Sequence, residues 1–170
     1  MSSRPLNQDP IEEARRQWVA HGWESAAAGM AAVTSLARAQ QILLQRIDAV
    51  LRPLDLTFAR YEILMLLTFS SRGSLPMTRI GALLQVHPTS VTSAVDRLER
   101  QGYAERKAHA TDRRAVLAAI TEAGRSQARL ATERLNAEVF EKPGLSTRQT
   151  QQLTDILREV RSGAGDFSTS

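Results

Sequence analysis

The chain has 170 residues, with 22 Lys and Arg against 18 Asp and Glu, a net charge of +4. Its 42% apolar content is enough for a folded core, and so small a charge excess does not suit a protein that coats nucleic acid indiscriminately. The absence of Cys excludes a disulfide scaffold, a thiolate metal site, a Cys nucleophile and a thiol redox switch.

No apolar run reaches the roughly 18–20 residues of a membrane span, and the N-terminus lacks the apolar core of a signal peptide. A cytoplasmic protein that makes no use of membranes is expected. Residues 1–10, with two Pro, are expected to fray, and residues 11–20 form a short helix with Ile11, Ala14 and Trp18 on one side, interrupted at Gly22. A long helix is expected from about Gly29 to Arg52. Val33, Leu36, Gln40, Leu43, Leu44, Ile47, Val50 and Leu51 recur there at helical spacing before Pro53. Thr57 can cap the next helix, with Phe58, Tyr61, Leu64 and Met65 in one stripe, and Gly73 and Pro76 close that segment. A short helix follows from Thr78 to Gln85. Another opens with Pro88 in its first turn, where the missing N–H costs nothing, and stops at Gly102.

Residues 103–106 and 115–120 are expected to form a hairpin around the basic loop from Lys107 to Arg114, although Ala is a poor strand former. Thr121 and Glu122 open a long helix that ends at Pro143-Gly144. Ser146 and Gln149 form a capping box for a last helix through Leu153, Ile156, Leu157 and Val160, and the final ten residues read as a loose tail.

The charge is unevenly placed. Residues 1–78 hold eight basic and seven acidic side chains, residues 79–125 eight and five, and residues 126–170 six and six. Three of the four excess charges therefore lie in the paired short helices and the hairpin. Two short helices joined at Val86-His87-Pro88 make a helix-turn-helix, whose second helix can enter a major groove. In that helix Val91, Val95 and Leu98 face inward. Thr89, Ser90, Thr92, Ser93 and Arg97 face elsewhere, with hydroxyls small enough to reach phosphates or base edges. At the hairpin tip Asp112 can hold and aim a neighbouring guanidinium, and an aimed Arg suits a narrow minor groove.

Residues 91–124, VTSAVDRLERQGYAERKAHATDRRAVLAAITEAG, resemble the MarR family of winged helix-turn-helix transcription regulators. Gly102, Arg106, Asp112, Arg114, Thr121 and Gly124 fall at the family's motif positions, with Ile120 for the usual Leu and Gly81 where the family often has Ala. The resemblance spans roughly residues 30–160. It implies a mainly α fold with a small β-hairpin wing. The expected organisation is an N-terminal extension with a short helix over 1–28, a helical dimerisation region over 29–56 and 121–165, and a winged helix-turn-helix DNA-binding region over 57–120.

The resemblance further implies an obligate homodimer, non-enzymatic, that binds double-stranded DNA at a pseudo-palindromic site with half-sites about one helical turn apart. Arg114 would be the minor-groove Arg oriented by Asp112. Arg113, Lys107 and His109 would be accessory backbone contacts, and Thr89, Ser90, Thr92, Ser93 and Arg97 would serve the recognition helix. Independently, apolar stripes on long terminal helices call for a partner copy, the alternative being an intramolecular bundle.

Such regulators often release DNA on binding a small aromatic or anionic effector. Arg60, Tyr61 and Met65, with Trp18 or Trp23 from the extension, are the pocket candidates, and core or dimer packing is the competing reading for them. The extension resembles that of the urate-responsive subgroup. Its acidic pocket residue would fall near Glu62, but its two arginines would fall near Phe69 and Ala94, so urate itself is not expected. His21, His87 and His109 lack metal-ligand spacing, and neither a metal nor a cofactor is expected. A repressor is the expected role, with an effector-independent or activating DNA binder as the alternative within the class, and a helical interaction module with a surface hairpin as the competing class. Only a DNA binder would lose duplex affinity steeply with salt.

Overall fold

A computed structural model describes residues 6–108 and 115–167, and these fall into two compact units divided between Ala49 and Val50. The first unit holds helix α1 (Pro10–Ala20) and most of α2 (Glu24–Leu51). Asp9 caps α1 by accepting from the Ile11 N–H at 2.9 Å, with Pro10 in the first turn. Gly22 breaks the helix at φ +83°, a conformation that costs glycine nothing. The second helix starts five residues before the expected Gly29. The intervening Glu-Ser-Ala-Ala-Ala run has no apolar stripe, but alanine is the strongest helix former.

The second unit begins in the last turn of α2, where Leu51 is fully buried, and passes through a 3-10 turn (Arg52–Leu54) to α3 (Phe58–Phe69). Thr57 caps α3, accepting from the Arg60 N–H. Strand β1 (Ser74–Pro76), helices α4 (Met77–Leu84) and α5 (Pro88–Arg100), and strands β2 (Ala104–Ala108) and β3 (Val116–Ile120) complete the central lobe. Helix α6 (Glu122–Leu135), a π turn (Asn136–Phe140) and α7 (Thr147–Gly163) follow.

The expected two-stranded hairpin is a three-stranded antiparallel sheet in the order β1-β3-β2. Ser74 pairs with Ala119, and Ala104 with Ile120. The strand missed from sequence is three residues long and ends in proline, which a sheet edge tolerates. Lys107 and Ala108, expected in the loop, extend β2. Alanine is acceptable here because Ala104, Ala118 and Ala119 are all buried, so contact with the core replaces intrinsic propensity. That core is built from Ile63, Leu64 and Leu67 of α3, Ile80 of α4, Val91, Val95 and Leu98 of α5, and Ala128, Ala131 and Leu135 of α6.

Thr121 caps α6 through the Gly124 N–H at 3.0 Å and donates to the Gly102 carbonyl at 2.7 Å, joining the helix start to the end of α5. The Ser146–Gln149 capping box of α7 is present. The tail is not loose as far as it is described. Helix α7 runs to Gly163, the Arg161 guanidinium stands 5.3 Å from the Phe167 ring centroid, and Gln85 donates to the Asp166 carbonyl. Among the described residues, no helix is long and apolar enough to cross a membrane.

Candidate nucleic-acid interface

Helices α4 and α5 meet in a tight turn. Gln85 ends α4 in the left-handed conformation at φ +55°, and the Val86 N–H returns to the Gly81 carbonyl at 3.1 Å. His87 then caps α5, its Nδ1 accepting from the Thr89 N–H at 3.3 Å, with Pro88 at the first helical position. Val91, Val95 and Leu98 are buried beneath α5. Their burial fixes the helix rotation, so that Thr89, Ser90, Thr92, Ser93 and Arg97 are all exposed, as expected from the sequence. Open grooves of about 480 and 500 Å³ flank Thr92. Gly81, Val86 and Pro88 line one, and Pro76, Arg106 and Val116 the other.

The wing is tied to α5 by charge. Arg106 of β2 reaches both Asp96 and Glu99, and its backbone N–H donates to Glu99 at 2.8 Å. Partial burial opposes the guanidinium charge, but the two carboxylates outweigh it and raise its pKa. Arg97 is held as well. Its Nη2 lies 2.8 Å from Asp55 Oδ2, and this hydrogen bond is the main cause that lowers the Asp55 pKa. Lys107 pairs with Glu105 at 2.7 Å, an exposed contact of little energetic weight that a phosphate could replace. His109, Asp112, Arg113 and Arg114 lie outside the described residues.

The pocket candidates fall in both units. Trp18 and Trp23 stack edge to face with centroids 5.3 Å apart, and Trp23 also stacks on His21. In the second unit the buried Tyr61 places its hydroxyl 3.0 Å from Thr132 Oγ1, and Thr132 stands 3.3 Å from Met65 Sδ. Arg60 donates to Gln101 Oε1 at 3.1 Å. Partial burial lowers its pKa, Asp55 opposes that shift, and the charge of Arg97 adds to it. Burial raises the pKa of the Glu62 carboxyl. Phe69 is 75% exposed and Ala94 half-buried. Among the described residues, no group of three or more His, Asp or Glu side chains could hold a metal ion.

Two polar residues of this face were not singled out from sequence. His87 was legible in principle, as the residue before a helix-opening proline. Asp55 carried no signal, since its partners Arg97 and Gln101 lie more than 40 positions away.

A helix-turn-helix with an exposed hydroxyl face, flanked by an antiparallel wing, defines a winged helix-turn-helix DNA-binding protein. The sequence model of the MarR family matches residues 54–115. Among solved structures, Sco5413, a MarR family transcriptional regulator from Streptomyces coelicolor, is 47% identical, with 84% of this chain and 99% of that one covered and a TM-score of 0.76. Sco3205 from the same organism, a MarR family regulator solved in complex with DNA, is 26% identical, with 78% and 84% covered and a TM-score of 0.70. The HTH-type transcriptional regulator YhbI of Bacillus subtilis (strain 168) is 30% identical over 128 residues, 72% of this chain and 80% of its own length. The chain belongs to the MarR family and is a DNA-binding transcriptional regulator, not an enzyme.

Proposed function

We propose that the protein is a homodimeric repressor that binds a pseudo-palindromic operator and releases it on binding a small effector. The observation that carries the operator reading is the α5 face. Thr89, Ser90, Thr92 and Ser93 are exposed along the first two turns of a helix whose opposite side is fully buried. Side chains this short let the helix approach base edges and phosphates closely. Arg97 extends the same surface, Lys107 and His109 supply backbone contacts from the wing, and Asp112 aims Arg114 into the minor groove, with Arg113 beside it.

Apolar exposure supports the dimer. On α7, Leu153, Ile156 and Val160 are 42%, 58% and 57% exposed at three- and four-residue spacing. On α2, Val33, Leu36, Leu43 and Leu44 are exposed as well. A second copy would remove these stripes from water, and a two-fold axis would present two recognition helices to inverted half-sites.

For the effector, Arg60 supports an anionic or aromatic-acid ligand. Its charge is penalised by burial and by Arg97 and only partly offset by Asp55, and a bound anion would add to that offset. Release follows only if the ligand favours a conformer that binds DNA less well. Thermal-shift titration with small aromatic acids tests this branch. Stabilisation together with loss of duplex affinity is expected, and no stabilisation across the panel would sink it.

Arg114→Ala tests the wing. It should weaken binding to a selected duplex about tenfold, the scale of one charge-assisted contact, and reduce the slope of log K against log salt by about 0.9. The oligomeric state should not change. Unaltered affinity and slope would remove Arg114 from the interface.

A further inference from the structure

We infer that Asp55, in the turn before α3, is a positioning residue for DNA binding that orients Arg97 of α5 toward a backbone phosphate. The inference rests on the reading above that α5 carries Arg97 to the duplex.

Four polar side chains form one relay. The Arg60 Nη1 donates to Gln101 Oε1 at 3.1 Å. With its carbonyl oxygen committed there, the Gln101 amide nitrogen points at Asp55 and donates to its carbonyl oxygen at 2.8 Å and its carboxylate at 2.9 Å. The same carboxylate oxygen, Oδ2, accepts from Arg97 Nη2 at 2.8 Å. Asp55 thus has both its main chain and its side chain turned to the C-terminal half of α5. It reaches this pose in the left-handed region, at φ +50°, which Asp tolerates better than most residues. The turn is also pinned from the other side, because Gln127 of α6 donates to the Leu54 carbonyl at 2.9 Å.

Arg97 lies one helical turn beyond Ser93, on the same side of α5. Its side chain remains 47% exposed although one nitrogen is held. A guanidinium has five N–H donors, so a carboxylate on one nitrogen leaves others free for a phosphate oxygen. Fixing the long side chain before binding removes part of the ordering cost that a free arginine would incur at the interface. Arg60 and Arg97 together outweigh Asp55, so the cluster keeps a net positive charge for the phosphate.

The test is a double-mutant cycle on a duplex recovered by selection from a random pool, with affinity measured by fluorescence anisotropy across a salt series. Asp55→Gly removes the carboxylate without straining a positive-φ residue, and Asp55→Asn keeps one acceptor and the left-handed tolerance while dropping the charge. Arg97→Ala should weaken binding about tenfold and lower the salt slope by about 0.9. Asp55→Gly should weaken binding severalfold in the native background and not at all in the Arg97→Ala background. Asp55→Asn should recover part of the loss.

Equal or tighter binding by Asp55→Gly, with Arg97→Ala weakened, overturns the inference and leaves the Arg97 contact standing. An equal loss in both backgrounds also overturns it, because Asp55 would then act on the fold rather than through Arg97. No effect of Arg97→Ala overturns the Arg97 contact and this inference together.

Discussion

Two glycines that look alike in sequence have different reasons to be glycine. A Cβ on Gly124 would collide with the Tyr103 carbonyl and stand 2.9 Å from Ile120 Cγ1. Backbone cannot yield cheaply, so Gly124→Ala should cost about 1–3 kcal/mol, read as a lowered denaturation midpoint. A Cβ on Gly81 would meet the Val86 carbonyl at 3.4 Å and Val91 Cγ2 at 3.5 Å, close to ordinary contact. Gly81→Ala should therefore be neutral or stabilise the fold by up to about 1 kcal/mol, through the entropy of the unfolded chain. The family's frequent Ala at this position is compatible with that space.

Glu62 makes stability depend on pH. Burial raises its folded pKa, so the folded chain holds this proton more tightly than the unfolded one does. Its contribution is intact below the unfolded value and is lost as pH rises through the folded value. Glu62→Gln should accordingly raise Tm at pH 7 and change it less at pH 4. A larger gain at pH 4 would reverse the assignment.

Several helices were legible because they carry a start signal, an inward stripe or both. Thr57, Thr121 and Ser146 cap as the sequence implies, and Val91, Val95 and Leu98 pack inward as their spacing requires. Strands were harder to see. β1 is too short for alternation to register, and β3 is alanine-rich because its inner end lies in the core. The start of α2 was hidden for a related reason, since Ala26 and its neighbours form helix by propensity without displaying an apolar face. Recognition-helix side chains were readable by exclusion from the stripe, whereas the Asp55 relay depends on chain crossings that no local pattern encodes.

An ion-pair cluster links α5 to the wing. Arg106 faces Asp96 and Glu99 together, so Arg106→Ala would leave two carboxylates side by side. With the side chain still 30% exposed, solvent limits the loss to about 1 kcal/mol of stability. Hydrogen exchange should nevertheless quicken selectively across β2, and unchanged exchange there would mean that strand pairing alone holds the wing.

For the whole molecule, the distribution of charge says more than its total. Three of the four excess charges lie in the helix-turn-helix and wing, and two of the cations there, Arg97 and Arg106, are partnered by carboxylates that fix their direction. Such a surface favours a few aimed contacts over general attraction to phosphate. The exposed apolar stripes of α2 and α7 make the corresponding demand for a partner copy. Together they support the proposal of a symmetric reader of two half-sites. Selection of bound duplexes from a random pool by the full chain, followed by footprinting of the enriched sequence, is the decisive measurement. Two inverted half-sites centred about one helical turn apart are expected, both protected at a stoichiometry of two chains per duplex. A single unpaired half-site bound by one chain, or no enrichment at low salt, would contradict the proposal.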